Sequence, residues 1–260
     1  MYEWARDTLT RLTFDTAIVR PVWTPDGRRI VFASQRADPT LNLYWQRADG
    51  TGDAQRLTES RNHQRPASWH PSGKFLAFDE QTTQTSWDLM ILPLEGDDAS
   101  GWKPGKPSVF LNTPFAESEP MFSPDGRWLA YQSNESGRNE VYVRPFSGPG
   151  GVGKWQISIG GGFSPMWSRT KHELFYGTTN GQIMVAAFTV EADSFRAEKP
   201  QPWSDGRFVV RGLNRMFDLH PDGERFALTA QTQVGAKQDK VVFLFNFFDE
   251  LRRIAPVAKQ

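Results

Sequence analysis

Trp23-Thr24-Pro25-Asp26-Gly27-Arg28-Arg29-Ile30-Val31-Phe32 decides the fold. It is an aromatic residue, a Pro-Asp-Gly turn and an apolar run. Proline presets φ, aspartate caps the turn with its side chain and glycine accepts positive φ, so the stretch predicts a tight hairpin. The same text returns as Trp69-His70-Pro71-Ser72-Gly73-Lys74-Phe75-Leu76-Ala77-Phe78 and as Phe122-Ser123-Pro124-Asp125-Gly126-Arg127-Trp128-Leu129-Ala130-Tyr131. A degraded copy runs from Trp167 to Tyr176, and a last one from Leu219 to Leu228. Taken at Pro25, Pro71, Pro124, Arg169 and Pro221, the spacings are 46, 53, 45 and 52 residues. A period of roughly 40–50 residues with four strands per unit is that of a propeller blade.

The expected fold is therefore all-β: a β-propeller of four-stranded antiparallel blades, five of them recognisable, in a single domain over residues 1–260. The repeat cores lie near 20–58, 66–111, 119–158, 164–203 and 215–247. Strand four of the fourth unit is placed near Pro200–Trp203. In the fifth unit Lys240–Asn246 is strand three, and no fourth strand follows it. Leu9-Thr10-Arg11-Leu12-Thr13 matches the strand-four text Ala54-Gln55-Arg56-Leu57-Thr58. Residues 9–13 are thus expected to complete the last blade and close the ring, which would remove an exposed sheet edge. Tyr2-Glu3-Trp4 resembles the end of a strand three and suggests a longer propeller.

Composition narrows the chemistry. Lys plus Arg and Asp plus Glu both number 30 in 260 residues, so the net charge is zero and no general attraction to nucleic acid exists. The chain has no cysteine, which excludes disulfides, thiol catalysis and thiolate metal sites. No apolar run approaches the roughly 18 residues of a membrane span, and Met1–Asp7 does not read as a signal peptide.

Several motifs carry less than their form suggests. Gly148–Lys154 fits GxxxxGK, but Trp155 stands where a phosphate loop needs Ser or Thr, so a hairpin loop is expected. His70 and His220 share a repeat slot with Thr24, Ser123 and Ser168, which reads as a turn cap; His63 and His172 complete the four histidines. Asp26, Asp125 and Asp222 read as turn residues. The recurring Trp23, Trp69, Phe122 and Trp167 read as packing between blades. Asn134-Glu135-Ser136 fits the glycosylation sequon with little information. No Gly-x-Ser-x-Gly elbow and no kinase signature occurs in the chain.

The Pro-Asp-Gly turns at Pro25, Pro124 and Pro221 resemble TolB-type β-propeller repeats. Asn139–Phe146, Gly160-Gly161-Gly162 and Asn246–Leu251 are similar to the TolB-like region C-terminal to bacterial membrane-anchored serine/threonine kinases and transcriptional regulators. The resemblance implies a propeller and a periplasmic or extracytoplasmic setting. It implies no single activity, because propellers host many.

One constellation stands out. The segments leading into each strand one should converge at the channel mouth, bringing Arg20, Arg65, Glu119, Ser164 and Arg215 together. Three arginines with one glutamate suit an anionic group such as a peptide carboxylate. The expected function is a non-catalytic binding module, a monomeric ligand sensor or protein-interaction platform. No catalytic residue, metal or cofactor is assigned. The partner is expected to be a protein, a peptide or a small anionic ligand, not nucleic acid. The alternatives are a propeller-channel lyase or hydrolase, and a scaffold fragment of a larger kinase-linked sensor.

Overall fold

The structure, a computed structural model, describes residues 2–3, 8–13, 18–37, 39–96, 101–146, 153–192, 194–208, 210 and 217–228. Each of the first four repeats forms one antiparallel sheet. In the first, Ile18–Trp23, Arg29–Ser34, Asn42–Arg47 and Gln55–Arg56 pair in chain order. In the third, Glu117–Phe122, Trp128–Ser133, Glu140–Pro145 and Trp155–Gln156 do the same.

The second and fourth repeats are the longer ones, and each gains a strand. Ser86–Glu95 pairs with Phe75–Thr82, Lys103–Pro104 and Ser108–Leu111, with Gln64–Trp69 on the far side of Phe75–Thr82. Gln182–Glu191 likewise pairs with Glu173–Gly177, Ser194–Ala197 and Gln201–Arg207, and Phe163–Trp167 completes the sheet. The expected strand near Pro200–Trp203 therefore runs further, to Arg207.

The expected ring of five four-stranded blades is not what forms. Four sheets have four or five strands, and among the described residues none closes on another through a shared strand. The fifth repeat contributes a hairpin, Phe217–Leu219 with Phe226–Leu228; its predicted third strand, residues 240–246, lies outside the described residues. The N-terminal strand is already used: Tyr2 pairs Leu9 and Glu3 pairs Thr8 in a separate two-stranded sheet. Residues 10–13 enter no ladder among the described residues, and Arg11 Nε donates locally to Thr13 O at 2.8 Å. Among the described residues, 9–13 thus do not complete the last repeat.

The core consists of layers between successive sheets. Val31, Leu43, Trp45, Leu76, Phe78 and Leu92 join the first to the second. Leu89, Phe122, Leu129 and Tyr131 join the second to the third, and Trp128, Val143, Trp167 and Phe195 the third to the fourth. Phe175, Phe208, Phe217 and Phe226 pack the last hairpin on the fourth sheet. Trp69, Phe122 and Trp167 thus sit between sheets, as expected, whereas Trp23 is 48% exposed and joins no such layer among the described residues. Trp167 Nε1 also donates to Met121 O in the preceding repeat at 2.9 Å.

The repeated turns work as their residues predict. Thr24 Oγ1 donates to Asp26 Oδ1 at 2.5 Å, and Ser123 Oγ to Asp125 Oδ1 at 2.5 Å. Arg28 N, Arg127 N and Glu224 N donate to Asp26, Asp125 and Asp222. Gly27, Gly73, Gly126 and Gly223 have φ between 68° and 75°, the left-handed region these turns require.

Candidate functional site

Four of the five residues expected at one end of the sheets do meet there; Arg215 lies outside the described residues. Arg20, Glu119 and Ser164 hold the same repeat position, three residues before the strand-one aromatic. All three have positive φ, at 52°, 57° and 50°. Each begins a bulge in strand one: pairing skips from Val19 to Val22, from Ser118 to Met121 and from Phe163 to Met166. Pro21, Pro120 and Pro165 follow, and a residue without an N–H suits a gap in the ladder. A left-handed L-residue costs roughly 1–2 kcal/mol, so three of them mark a constrained region.

The second repeat breaks this pattern. Its equivalent position is Pro66, whose ring excludes positive φ. The pairing there skips only Ala67, and Arg65, one residue earlier, lies directly opposite Asp79.

These residues form one chain of charge-assisted bonds. Ser164 Oγ donates to Glu119 Oε2 at 2.6 Å, and Arg20 Nη2 to Glu119 Oε1 at 2.8 Å. Arg20 Nη1 reaches Asp79 Oδ2 at 3.3 Å, and Arg65 Nη2 reaches the same oxygen at 2.9 Å. Glu119 N donates to Asp79 Oδ1 at 2.9 Å. The network links all four sheets. The carboxylates are buried, while the Arg20 and Arg65 side chains are 14% and 16% exposed. The Arg65 guanidinium lies 3.4 Å from the centre of the Trp87 ring, a cation–π contact.

Burial pushes the Asp79 carboxyl above the usual carboxylate range, and Arg65 and Arg20 pull it back. Burial lowers the Arg65 guanidinium from its ordinary value, with Asp79 opposing. The described cluster balances two guanidiniums against two carboxylates, so it differs from an arginine-rich anion seat. What it offers outward is the exposed edges of two pre-oriented guanidiniums. The Ser164 hydroxyl is buried and bonded to Glu119, so it does not present a nucleophile.

A second polar layer supports the first. Gln132 Oε1 accepts Ser164 N at 3.3 Å, and Gln132 Nε2 donates to Ser118 Oγ at 2.8 Å. Gln132 and Asp79 are repeat equivalents, each receiving the amide N–H of the next sheet's bulge residue. Ala33 has the same place in the first sheet and offers no side-chain acceptor, and Pro66, at the bulge position of the next sheet, has no N–H to donate.

The other singled-out residues lie elsewhere. His70 Nδ1 caps its turn, within 2.7 Å of Ser72 Oγ, and His220 Nδ1 accepts Asp222 N at 3.3 Å. His63 Nδ1 accepts Leu41 N at 3.0 Å, and His172 stacks on Phe188. Burial lowers the His70 imidazole pKa. Among the described residues no group of three or more His, Asp or Glu could hold a metal ion. Lys154, which ends the GxxxxGK text, pairs with Glu135 at 2.5 Å, and residues 147–152 lie outside the described residues. Buried Asp88 and Glu140 tie loops down: Asp88 accepts Thr85 Oγ1 at 2.5 Å, and Glu140 accepts Gly160 N and Gly161 N at 2.9 Å.

No protein-family model matches the chain. A curated relative, the uncharacterized peptidase YuxL of Bacillus subtilis, is 27% identical over 145 residues, covering 44% of this chain and 21% of the relative. The chain thus spans about a fifth of the length of that relative. Among solved structures, TolB of Acinetobacter baumannii superposes with a TM-score of 0.54 at 16% identity, over 83% of this chain and 49% of that one. A TolB-type protein of Agrobacterium tumefaciens gives 0.53 at 16% identity, over 71% and 66%. The fold is distantly TolB-like. The sequence match to a peptidase overturns the expectation of a purely non-catalytic sensor or protein-binding module, along with the preference against an enzyme. The hydrolase alternative is the better supported one. Among the described residues no helix is long and apolar enough to cross a membrane.

Proposed function

We propose that this chain is the substrate-facing, sheet-built part of a peptidase-class hydrolase, and that Arg20 and Arg65 engage a peptide where the sheets meet. One observation carries the class: the sequence relationship to a peptidase runs through 44% of the chain. The network supports the place. Two guanidiniums are fixed by buried carboxylates and leave an edge exposed, which suits a peptide carbonyl or terminal carboxylate. An extracytoplasmic setting goes with the TolB-like fold.

The test is hydrolysis of a panel of peptidyl-aminomethylcoumarins by the purified protein that contains this chain, with Arg65→Lys beside it. Lysine keeps the charge and loses the planar fork. Hydrolysis is expected, with KM raised and kcat preserved in the variant. No hydrolysis of any substrate overturns the peptidase class. Hydrolysis with an unchanged KM removes Arg65 from the substrate.

A further inference from the structure

At the turn ends of the sheets, away from the ion network, each junction is filled from the same two positions. One is the first residue of strand two in one sheet. The other, in the next sheet, is the strand-three residue whose N–H bonds the residue just before strand two: Leu94 N donates to Lys74 O at 2.8 Å, Phe146 N to Arg127 O at 2.7 Å and Phe188 N to His172 O at 3.0 Å. Between the second and third sheets the two positions hold Phe75 and Phe146, with ring centres 5.6 Å apart. His70 packs on both, and a Cβ on Gly126 would come within 2.2 Å of His70 Nε2. Between the third and fourth sheets they hold Trp128 and Phe188. Phe195, from the extra strand, contacts both rings, with centres 5.2 and 5.0 Å away, and is 2% exposed.

The junction between the first and second sheets has the same frame and a smaller filling. Its two positions hold Arg29 and Leu94. Trp102 is the equivalent of Phe195, because each stands two residues before the partner of the strand-three residue: Pro104 pairs Leu94, and Ala197 pairs Phe188. Thr24 stands in the His70 slot, and a Cβ on Gly73, the equivalent of Gly126, would meet nothing within 4 Å. Arg29 lies 4.9 Å from the centre of the Trp45 ring, so it frames the space instead of filling it. The Trp45 indole N–H is held by Gln55 Oε1 at 3.0 Å, which fixes that ring. A cavity of about 310 Å³ remains, walled chiefly by Trp45, Trp69, Leu94 and Trp102 between the Pro25 and Pro71 turns.

We infer that this cavity binds a small neutral aromatic molecule of one or two rings, which takes the place that the Phe146 and Phe188 side chains occupy at the other two junctions. The class follows from the chain's own solution to the same space, an uncharged ring packed among rings. Such pairs contribute beyond the area they bury. An apolar cavity of roughly 150 Å³ admits benzene, so the larger one here has room for one or two rings. Mostly apolar and aromatic walls around about 300 Å³ or more are the usual makeup of a small-ligand site. The site lies at the other end of the sheets from Arg20 and Arg65 and is independent of the peptidase reading.

The test is calorimetric titration of the full chain with phenol and with cyclohexanol, in the wild type, in Leu94→Phe and in Thr24→His. Phenylalanine restores the ring found at the other junctions, and histidine fills the space from the turn, as His70 does. Phenol is expected to bind the wild type saturably and cyclohexanol, which keeps the hydroxyl and loses the flat ring, roughly tenfold more weakly, the scale of a well-placed ring pair. Each variant should lose saturable phenol binding while keeping the melting midpoint. Equal affinity for phenol and cyclohexanol, undiminished phenol binding by either folded variant, or no saturation of the wild type at about 10 mM, a level at which even a millimolar site would fill, overturns the assignment. The phenol–cyclohexanol comparison needs only the wild-type protein.

Discussion

Replacing Asp79 by asparagine tests the ion network from its centre. Asp79 is fully buried and accepts from Arg65 at 2.9 Å, from Arg20 at 3.3 Å and from Glu119 N at 2.9 Å. Asparagine keeps the shape and an oxygen for Glu119 N, but it puts an NH2 donor where Oδ2 accepts from Arg65 and Arg20, so both of those bonds are lost with the charge. Among the described residues the network then keeps one carboxylate, Glu119, which is bonded to Arg20. Removing one partner of a buried pair costs about 3–5 kcal/mol. Retention of the amide bond places Asp79→Asn near the low end, about 3 kcal/mol. At roughly 2–4 °C per kcal/mol for a chain of this size, the melting midpoint should fall by roughly 6–12 °C. Thermal and urea unfolding followed by tryptophan fluorescence read this directly. The double variant Asp79→Leu with Arg65→Met, which removes both buried charges, should recover part of the loss. A change within about 0.5 kcal/mol, the usual size for an uninvolved surface site, would refute the reasoning.

The remaining predictions concern the turns and the core. Gly126→Ala should destabilise by several kcal/mol, because its Cβ would press on His70. Gly27→Ala, at a similar φ with nothing within 4 Å, should cost only the left-handed penalty of about 1–2 kcal/mol, and equal losses in urea unfolding would contradict the packing described. Tyr131 and Tyr176 are pushed up to about 12 by burial, so their stabilising contribution is complete below pH 10 and lost as pH rises through 12. Ultraviolet titration should show both ionising near pH 12, well above the pH of about 10 at which a free phenol ionises. Asp222 is held down to about 2, first by Glu224 N and then by Arg225 and His220. Its contribution is present above pH 3.8 and lost as pH falls through about 2, which carboxyl chemical shifts would register.

The sequence shows the sheets more plainly than the site. Proline, aspartate and glycine fix a turn locally, so Arg29–Ser34 and Trp128–Ser133 fall where the repeats place them. The extra strands Lys103–Pro104 and Ser194–Ala197 match no repeat text, yet they lie in the two long intervals of 53 and 52 residues. The likeness of residues 9–13 to 54–58 suggests ring closure, but pairing depends on what a strand meets, and Thr8–Leu9 meets Tyr2–Glu3. Spacing before each strand one brought Arg20, Glu119 and Ser164 together because they share a bulge position. Arg65 arrives by another route, one residue earlier, because proline occupies the bulge. Asp79 directly follows the apolar run Phe75-Leu76-Ala77-Phe78, at a position where other repeats have Ala33, Gln132 and Gly177. Its meaning depends on two arginines from strands 14 and 59 residues away, which no local pattern reveals.

The most direct test of the central claim is the KM for a peptidyl-aminomethylcoumarin, measured on the protein that contains this chain, wild type against Arg20→Lys with Arg65→Lys. Both should hydrolyse it, with KM raised roughly tenfold in the double variant, as expected for loss of a forked hydrogen bond to the substrate. The same KM in both proteins, at unchanged melting midpoints, would contradict it.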